Sequence, residues 1–248
     1  MLEVTLLSIL QGIAEFLPIS SSGHLVLGKE LLGLGDTGMR LDIFLHVGTL
    51  LAVFAFYLKV IVRIVKECDW RYLLKIVLSA VPAGIVGICF KDHIEAAFQS
   101  PLMVGFALIF TGLTLTITKV LPKGDKSVTT SSALLMGVAQ ALAIIPGVSR
   151  SGMTLVAARG AKVEAAKSAE FSFLMSSLPI AGAAILEIME ATPAVNEVSW
   201  GLTLYGALLS AIVGYISLAL LLKSLKSDKF WLFGPYCLIA GITTIGLA

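Results

Sequence analysis

Residues 43–58 and 202–222 contain no Asp, Glu, Lys or Arg. Runs of this kind approach or reach the ~20 apolar residues that carry a helix across a bilayer, and this narrows the fold more than any other feature. In hydrocarbon each backbone amide must find its partner within the chain, and a helix meets that demand by itself. Composition agrees: 57% of the 248 residues are hydrophobic and 14% are charged, where a soluble domain carries about a quarter charged residues. The chain is expected to be an all-α polytopic membrane protein. The net charge of +2 gives no sign of a nucleic-acid partner. Cys68, Cys89 and Cys237 are scattered without metal or redox spacing.

Six spans are expected, at 41–58, 73–90, 102–121, 169–188, 202–222 and 230–247. Two further apolar segments, 4–32 and 133–158, are broken by proline and serine. The first is interrupted at Pro18 and turns through Ser20-Ser21-Ser22-Gly23. The second breaks at Pro146-Gly147 and turns through Ser149-Arg150-Ser151-Gly152. Proline removes an amide donor and clashes with the preceding turn, and each arm is too short to span. Both segments read as re-entrant helix–loop–helix hairpins.

The two hairpins belong to a longer repeat. At a constant spacing of 129 residues, Gln11 is matched by Gln140, Ser20 by Ser149, and Ser22-Gly23 by Ser151-Gly152. Further on, Phe44-Leu45 is matched by Phe173-Leu174, Gly105 by Gly234, and Gly112 by Gly241. Residues 1–248 thus read as one integral membrane domain of two repeats, 1–124 and 130–248. Each holds a re-entrant hairpin and three transmembrane helices. An odd number of crossings gives the repeats inverted topology. Charge sets the orientation. Of the 18 Lys and Arg, only Lys29, Arg40 and Lys91 fall on one side and Arg150 within a hairpin. The rest lie on the other side, which the positive-inside rule makes cytoplasmic. Both termini are then outside the cell membrane, and the two hairpin tips approach each other near the midplane.

The tips concentrate polar groups. Two helix N-termini, with their unpaired amides and positive dipole ends, are natural anion sites. Ser20, Ser21, Ser22, Ser149, Ser151 and Thr154 add hydroxyls for phosphate contact, and Arg150 adds a guanidinium suited to bidentate phosphate binding. A buried Arg150 calls for a partner, either an anionic ligand or Glu15. Gln11 and Glu15 are four residues apart and share a helix face. Glu15 is placed to deprotonate a nucleophile, or with Gln11 to hold a hard divalent cation, Mg²⁺ or Ca²⁺, completed by substrate phosphates. His24, three residues past Ser21, suits activation of that serine or protonation of a leaving phosphate. His46 and His93 are expected to be structural. Asp42 and Glu170 are expected at span starts, and Glu187, Glu190 and Glu197 on an outer loop.

Residues Glu15 to His24, reading Glu-Phe-Leu-Pro-Ile-Ser-Ser-Ser-Gly-His, and Pro146 to Thr154, reading Pro-Gly-Val-Ser-Arg-Ser-Gly-Met-Thr, resemble the two signature motifs of the undecaprenyl-diphosphatase family, the bacitracin-resistance type. The segment Ala169-Glu-Phe-Ser-Phe-Leu174 is similar to that family as well. The resemblance covers essentially the whole chain. It implies a membrane phosphatase that cleaves the terminal phosphate from a C55 polyprenyl diphosphate lipid, at a site open to the outer face, and so recycles the glycan carrier lipid. It implies Glu15, Ser21, His24 and Arg150 as the catalytic group, with Ser20, Ser149 and Thr154 on the phosphate. The family has Glu or Gln four residues before its catalytic Glu, and here it is Gln11, a weaker metal ligand than Glu. The type-2 phosphatidic-acid phosphatases are a poorer match, because they need a His six residues after the motif Arg and Val156 stands there. The alternative from another class is a secondary transporter or flippase for a phosphate-bearing lipid or small anion, since inverted repeats with broken helices are common among transporters.

Overall fold

The computed structural model describes residues 1–33, 39–190 and 198–248. In chain order the helices are α1 (Leu2–Ala14), α2 (Ser21–Leu31), α3 (Met39–Phe56), α4 (Leu58–Lys66), α5 (Trp70–Cys89), α6 (Lys91–Phe98), α7 (Pro101–Ile117), α8 (Thr130–Leu142), α9 (Arg150–Gly160), α10 (Ala165–Glu190), α11 (Trp200–Lys226) and α12 (Phe233–Leu247). A 3-10 turn, Phe230–Leu232, precedes α12. Among the described residues there is no strand. The only extended pairing among them is a pair of bridges, Gly124 to Glu164 and Lys126 to Val163, which straps the basic 122–132 linker to the turn between α9 and α10.

Three helices are long and apolar enough to cross a membrane alone: Trp70–Cys89, Trp200–Lys226 and Phe230–Leu247. Two bent pairs meet the same standard as joined units, α3 with α4 at 66° and α6 with α7 at 98°. The expected span at 41–58 is therefore α3, and the basic stretch after it is the separate helix α4 rather than loop. The polar stretch between the expected spans 73–90 and 102–121 is likewise mostly helix, α6. The span expected at 169–188 lies within α10, which takes in Glu187 and Glu190; Glu197 lies outside the described residues.

The long helices are built inside out relative to a soluble bundle. On α11 most of the residues turned inward are small or hydroxylic, namely Thr203, Gly206, Ala207, Ser210, Gly214 and Ser217, with Leu218 and Leu221 buried beyond them. The outward stripe, Leu204, Leu208, Ile212, Ile216 and Leu220, is more than half exposed at every position. Burying small residues while presenting branched aliphatics outward suits packing in lipid, where close backbone approach drives helix association. The α7–α12 crossing shows how close that approach is. A Cβ on Gly105 would lie 3.1 Å from the carbonyl oxygen of Gly241, and one on Gly241 would lie 2.6 Å from that of Gly105. Gly112 and Gly234 stand in the same mutual relation, 2.8 Å each way.

Two helix–turn–helix units, α1–α2 and α8–α9, sit inside this frame. Helical bonding in the first continues past α1 to the amide of Leu17, which reaches the Ile13 carbonyl at 3.0 Å, and stops at Pro18. Ser20 caps α2, its Oγ accepting the Gly23 amide at 3.3 Å. Ser149 caps α9 in the same way, accepting the Gly152 amide at 3.1 Å. The main core gathers both units: Ala14, Phe16 and Ile19 from the first, and Ala133, Met136 and Leu155 from the second. Phe171, Phe173 and Met175 of α10 and Leu218 and Leu221 of α11 pack with them, as do Ala52 and Val53 of α3 and Leu115 of α7. Phe16 and Phe173 pack with ring centroids 5.4 Å apart.

Candidate active site

The two turns touch. A Cβ on Gly23 would stand 3.0 Å from the Cα of Gly147, and the Gly147 amide donates to Ser20 Oγ across the junction at 3.2 Å. Gly147 takes φ 96, a region open to glycine at little cost. The second turn is clamped from α7, where Thr111 Oγ1 donates to the Gly147 carbonyl at 2.9 Å and accepts the Ser149 amide at 3.1 Å. Helices α2 and α9 thus begin side by side at this junction. By helix geometry, the amides of Ser21, Ser22, Arg150 and Ser151 have no acceptor within their own helix.

Glu15 occupies the centre. It follows α1 directly, with its side chain only 7% exposed. Oε2 accepts from Ser21 Oγ at 2.5 Å and from Gln11 Nε2 at 3.1 Å. Arg150 Nη1 lies 3.3 Å from Oε1, close enough for an ion pair yet without the alignment of a hydrogen bond. Hydrogen bonds to a carboxylate, such as those from Ser21 and Gln11, are about twice as strong as neutral ones, and a buried carboxylate needs such partners to offset its lost hydration. The ion pair between Arg150 and Glu15 exists as the sequence allowed. The Arg150 side chain stays 28% exposed, and its Nη1 makes no hydrogen bond, so the guanidinium keeps donors for a second anion.

His46 joins this group although the sequence assigns it to structure. Its Nδ1 donates to the Asp42 carbonyl at 2.9 Å, which turns Nε2 toward Glu15 Oε2 at 3.8 Å. The signal in the sequence is thin: a histidine two turns into an apolar helix, with Asp42 and Thr49 as its only polar neighbours within a turn.

His24 is placed differently from its expected role. Nδ1 donates to the Ser20 carbonyl at 2.8 Å and Nε2 accepts from the Tyr236 hydroxyl at 2.8 Å. Neither bond reaches Ser21 or Glu15. The reason is helical geometry: the imidazole folds back onto the carbonyl four residues earlier, at the N-cap, instead of leaning toward Ser21.

Burial separates the hydroxyls into two sets. Ser21 and Ser22 are part-exposed. Ser20, Ser149, Ser151 and Thr154 are buried, Thr154 completely. Thr154 Oγ1 shares a 2.6 Å bond with Ser172 Oγ and donates to the Arg150 carbonyl at 2.9 Å, so it ties α9 to α10. Ser20 and Ser149 spend their oxygens on backbone amides, with Ser22 Oγ 3.4 Å from Ser20 Oγ and Ser151 Oγ 3.3 Å from Ser149 Oγ. The open face of the centre is formed by Ser21, Ser22, Arg150, Glu15 and His46.

Among the described residues no group of three or more His, Cys, Asp or Glu is placed to hold a metal ion. The oxygen donors at hand are the Glu15 carboxylate and Gln11 Oε1, which is buried and makes no hydrogen bond. Two oxygens of this kind fit an ion such as Mg²⁺, which keeps most of its coordination for water and phosphate.

Known proteins bear on the same two turns. Residues 4–243 match the family model of the bacitracin resistance protein BacA. The undecaprenyl-diphosphatase of Halothermothrix orenii is 40% identical, over 99% of this chain and 97% of its own length. Undecaprenyl-diphosphatase 4 of Bacillus cereus is 37% identical over 99% and 96%. The undecaprenyl-diphosphatase of Pelotomaculum thermopropionicum is 38% identical over 99% and 96%. With a match that takes in both turns and nearly every helix, and relatives alike over almost the whole of either chain, this chain belongs to the bacitracin resistance protein BacA family.

Proposed function

We propose that the chain is an undecaprenyl-diphosphatase, a membrane hydrolase that cleaves a polyprenyl diphosphate to the lipid monophosphate and inorganic phosphate. The observation that carries this reading is the 2.5 Å bond from Ser21 Oγ to Glu15 Oε2 beside Arg150. A hydroxyl on a buried carboxylate, next to a cation and two helix N-termini, has the parts of a phosphoryl-transfer centre: a nucleophile with its base, and donors for the charge on the transferring group. Transport alone would need the anion cradle but not the Ser21–Glu15 pair.

In this mechanism Arg150 and the open amides of α2 and α9 hold the terminal phosphate. Glu15 takes the Ser21 proton as Oγ bonds to phosphorus and the bond to the bridging oxygen breaks, leaving the lipid monophosphate. Water then displaces Ser21 and phosphate departs. Direct attack on phosphorus by a water that gives its proton to Glu15, with the bond to the bridging oxygen breaking, uses the same groups. Gln11 and Glu15 would hold a divalent cation, which would neutralise phosphate charge when bound. Ser20, Ser149, Ser151 and Thr154 act by shaping the two turns, and His24 acts on the first turn. Purified protein given undecaprenyl diphosphate with Mg²⁺ or Ca²⁺ should release phosphate; no release would end the enzyme reading. Ser21→Ala should lower kcat by about a thousandfold while substrate still binds, and a variant that keeps substantial turnover would favour water as the attacking group.

The architecture inferred is two inverted repeats, 1–124 and 130–248, each a re-entrant hairpin with three spans, in the cell membrane with both termini outside. The reciprocal glycine contacts support it. Gly105 touches Gly241 and Gly112 touches Gly234, and the spacing of 129 residues turns the first contact into the second. A two-fold axis between the halves produces such a pattern. The distribution of Lys and Arg supports the orientation.

A further inference from the structure

We propose that Tyr236 is a positioning residue of this centre: through its hydroxyl it holds His24 on the Ser20 carbonyl and so keeps the two turns in register. The proposal rests on the phosphatase reading for its kinetic consequence, and on geometry for the rest. Tyr236 lies on the outward stripe of α12 with Ile239 and Ile242. Its ring stacks on the imidazole of His24, centroids 5.7 Å apart and planes 14° apart, and its hydroxyl turns inward to Nε2 at 2.8 Å. A tyrosine hydroxyl in apolar surroundings needs a partner. So does the Nε2 lone pair, because Nδ1 is already spent on Ser20.

What this brace restrains is an unusual residue. Ser20 has φ 71 and ψ 98, a left-handed backbone that a side chain disfavours and that lasts only where neighbours hold it. In that conformation its Oγ takes both the Gly23 amide and the Gly147 amide of the opposite turn. The imidazole grips the carbonyl of this same residue. Beside Tyr236, Cys237 Sγ donates to the Pro18 carbonyl at 3.5 Å, so α12 holds the first turn on both sides of Ser20.

Thr111 of α7 performs the equivalent task for the second turn, and α7 and α12 are the pair that cross through their glycines. Both turns therefore hang from one crossed pair of helices. The repeat does not explain this arrangement. At the spacing of 129 residues Tyr236 is matched by Ala107 and Thr111 by Ala240, so the two clamps are not copies of one another.

The test compares Tyr236→Phe, which keeps the ring and loses the hydroxyl, with Tyr236→Gln, which returns a donor. In Tyr236→Phe kcat on undecaprenyl diphosphate should fall about tenfold, the worth of one hydrogen bond, with KM changed less than about twofold. Tyr236→Gln should recover part of that loss. A second readout does not depend on turnover. In ¹⁵N-histidine spectra the protein's three histidines are assigned by single replacement. The wild-type His24 should show Nδ1 protonated and Nε2 as a hydrogen-bonded acceptor, and Tyr236→Phe should shift the Nε2 resonance. An unmoved His24 resonance, a wild-type kcat in Tyr236→Phe, or a Gln variant no better than Phe would each overturn the proposal. If the wild-type protein released no phosphate, the phosphatase reading would fall while the spectra still decided the bond.

Discussion

At the scale of residues, the matched glutamines show what the centre asks of a side chain. Gln11 donates to Glu15. Its mate Gln140 is buried, and neither of its amide atoms has a partner among the described residues. Four residues after Gln140, where Gln11 has Glu15, stands Ile144, so the second amide has no carboxylate at that spacing. An unpartnered buried amide costs about 1–3 kcal/mol. Gln140→Leu should therefore leave the thermal midpoint in detergent unchanged or raise it, with activity kept. Gln11→Leu should lower kcat about tenfold by removing a donor from Glu15. Equal effects of the two replacements would contradict this assignment. The residue types of the centre were legible from the sequence because Glu15, Ser21 and Arg150 are costly in an apolar chain. His46, Tyr236, Thr111 and Ser172 were not, because their partners lie on distant helices and only folding brings them together.

At the scale of elements, the junction of the two turns depends on backbone that few residues can supply. A Cβ on Gly147 would sit 2.6 Å from the Val104 carbonyl oxygen at φ 96, so Gly147→Ala should cost about 2 kcal/mol or more. It should also depress turnover by separating Ser20 from the second turn. Gly84 has nothing within 4 Å and lies within α5, and Gly84→Ala should be neutral or slightly stabilising. Thermal unfolding of the two variants side by side measures the contrast. The two breaks were readable from Pro18 and Pro146-Gly147, since proline ends a helix by a local rule. Helix α4 was not. Lys59, Arg63 and Lys66 read as an inside loop by charge, yet they recur at helical spacing. Leu58, Val62 and Val65 beside them are exposed, as on a helix lying along a bilayer surface.

At the scale of the molecule, orientation is the open property with the simplest chemical handle. Cys68 and Cys89 are free and exposed, near opposite ends of α5, while Cys237 is buried. With both termini outside, a membrane-impermeant maleimide applied to intact cells should label Cys89 and spare Cys68, each read in a variant lacking the other. Labelling of Cys68 alone would reverse the orientation. Helices α5, α11 and α12, long and apolar enough to cross a membrane, were legible as apolar runs. The close passage of α7 and α12 was foreshadowed only by four glycines whose meaning depends on which helices meet.

All three scales converge on the Glu15 carboxylate, which takes the Ser21 hydroxyl, the Gln11 amide and the approach of Arg150 and His46. The direct test is the kcat of Glu15→Gln for phosphate release from undecaprenyl diphosphate. The replacement keeps size and hydrogen bonding and removes the base. A loss of about a thousandfold with little change in KM is the predicted result, and a variant within tenfold of the wild-type kcat would contradict the account.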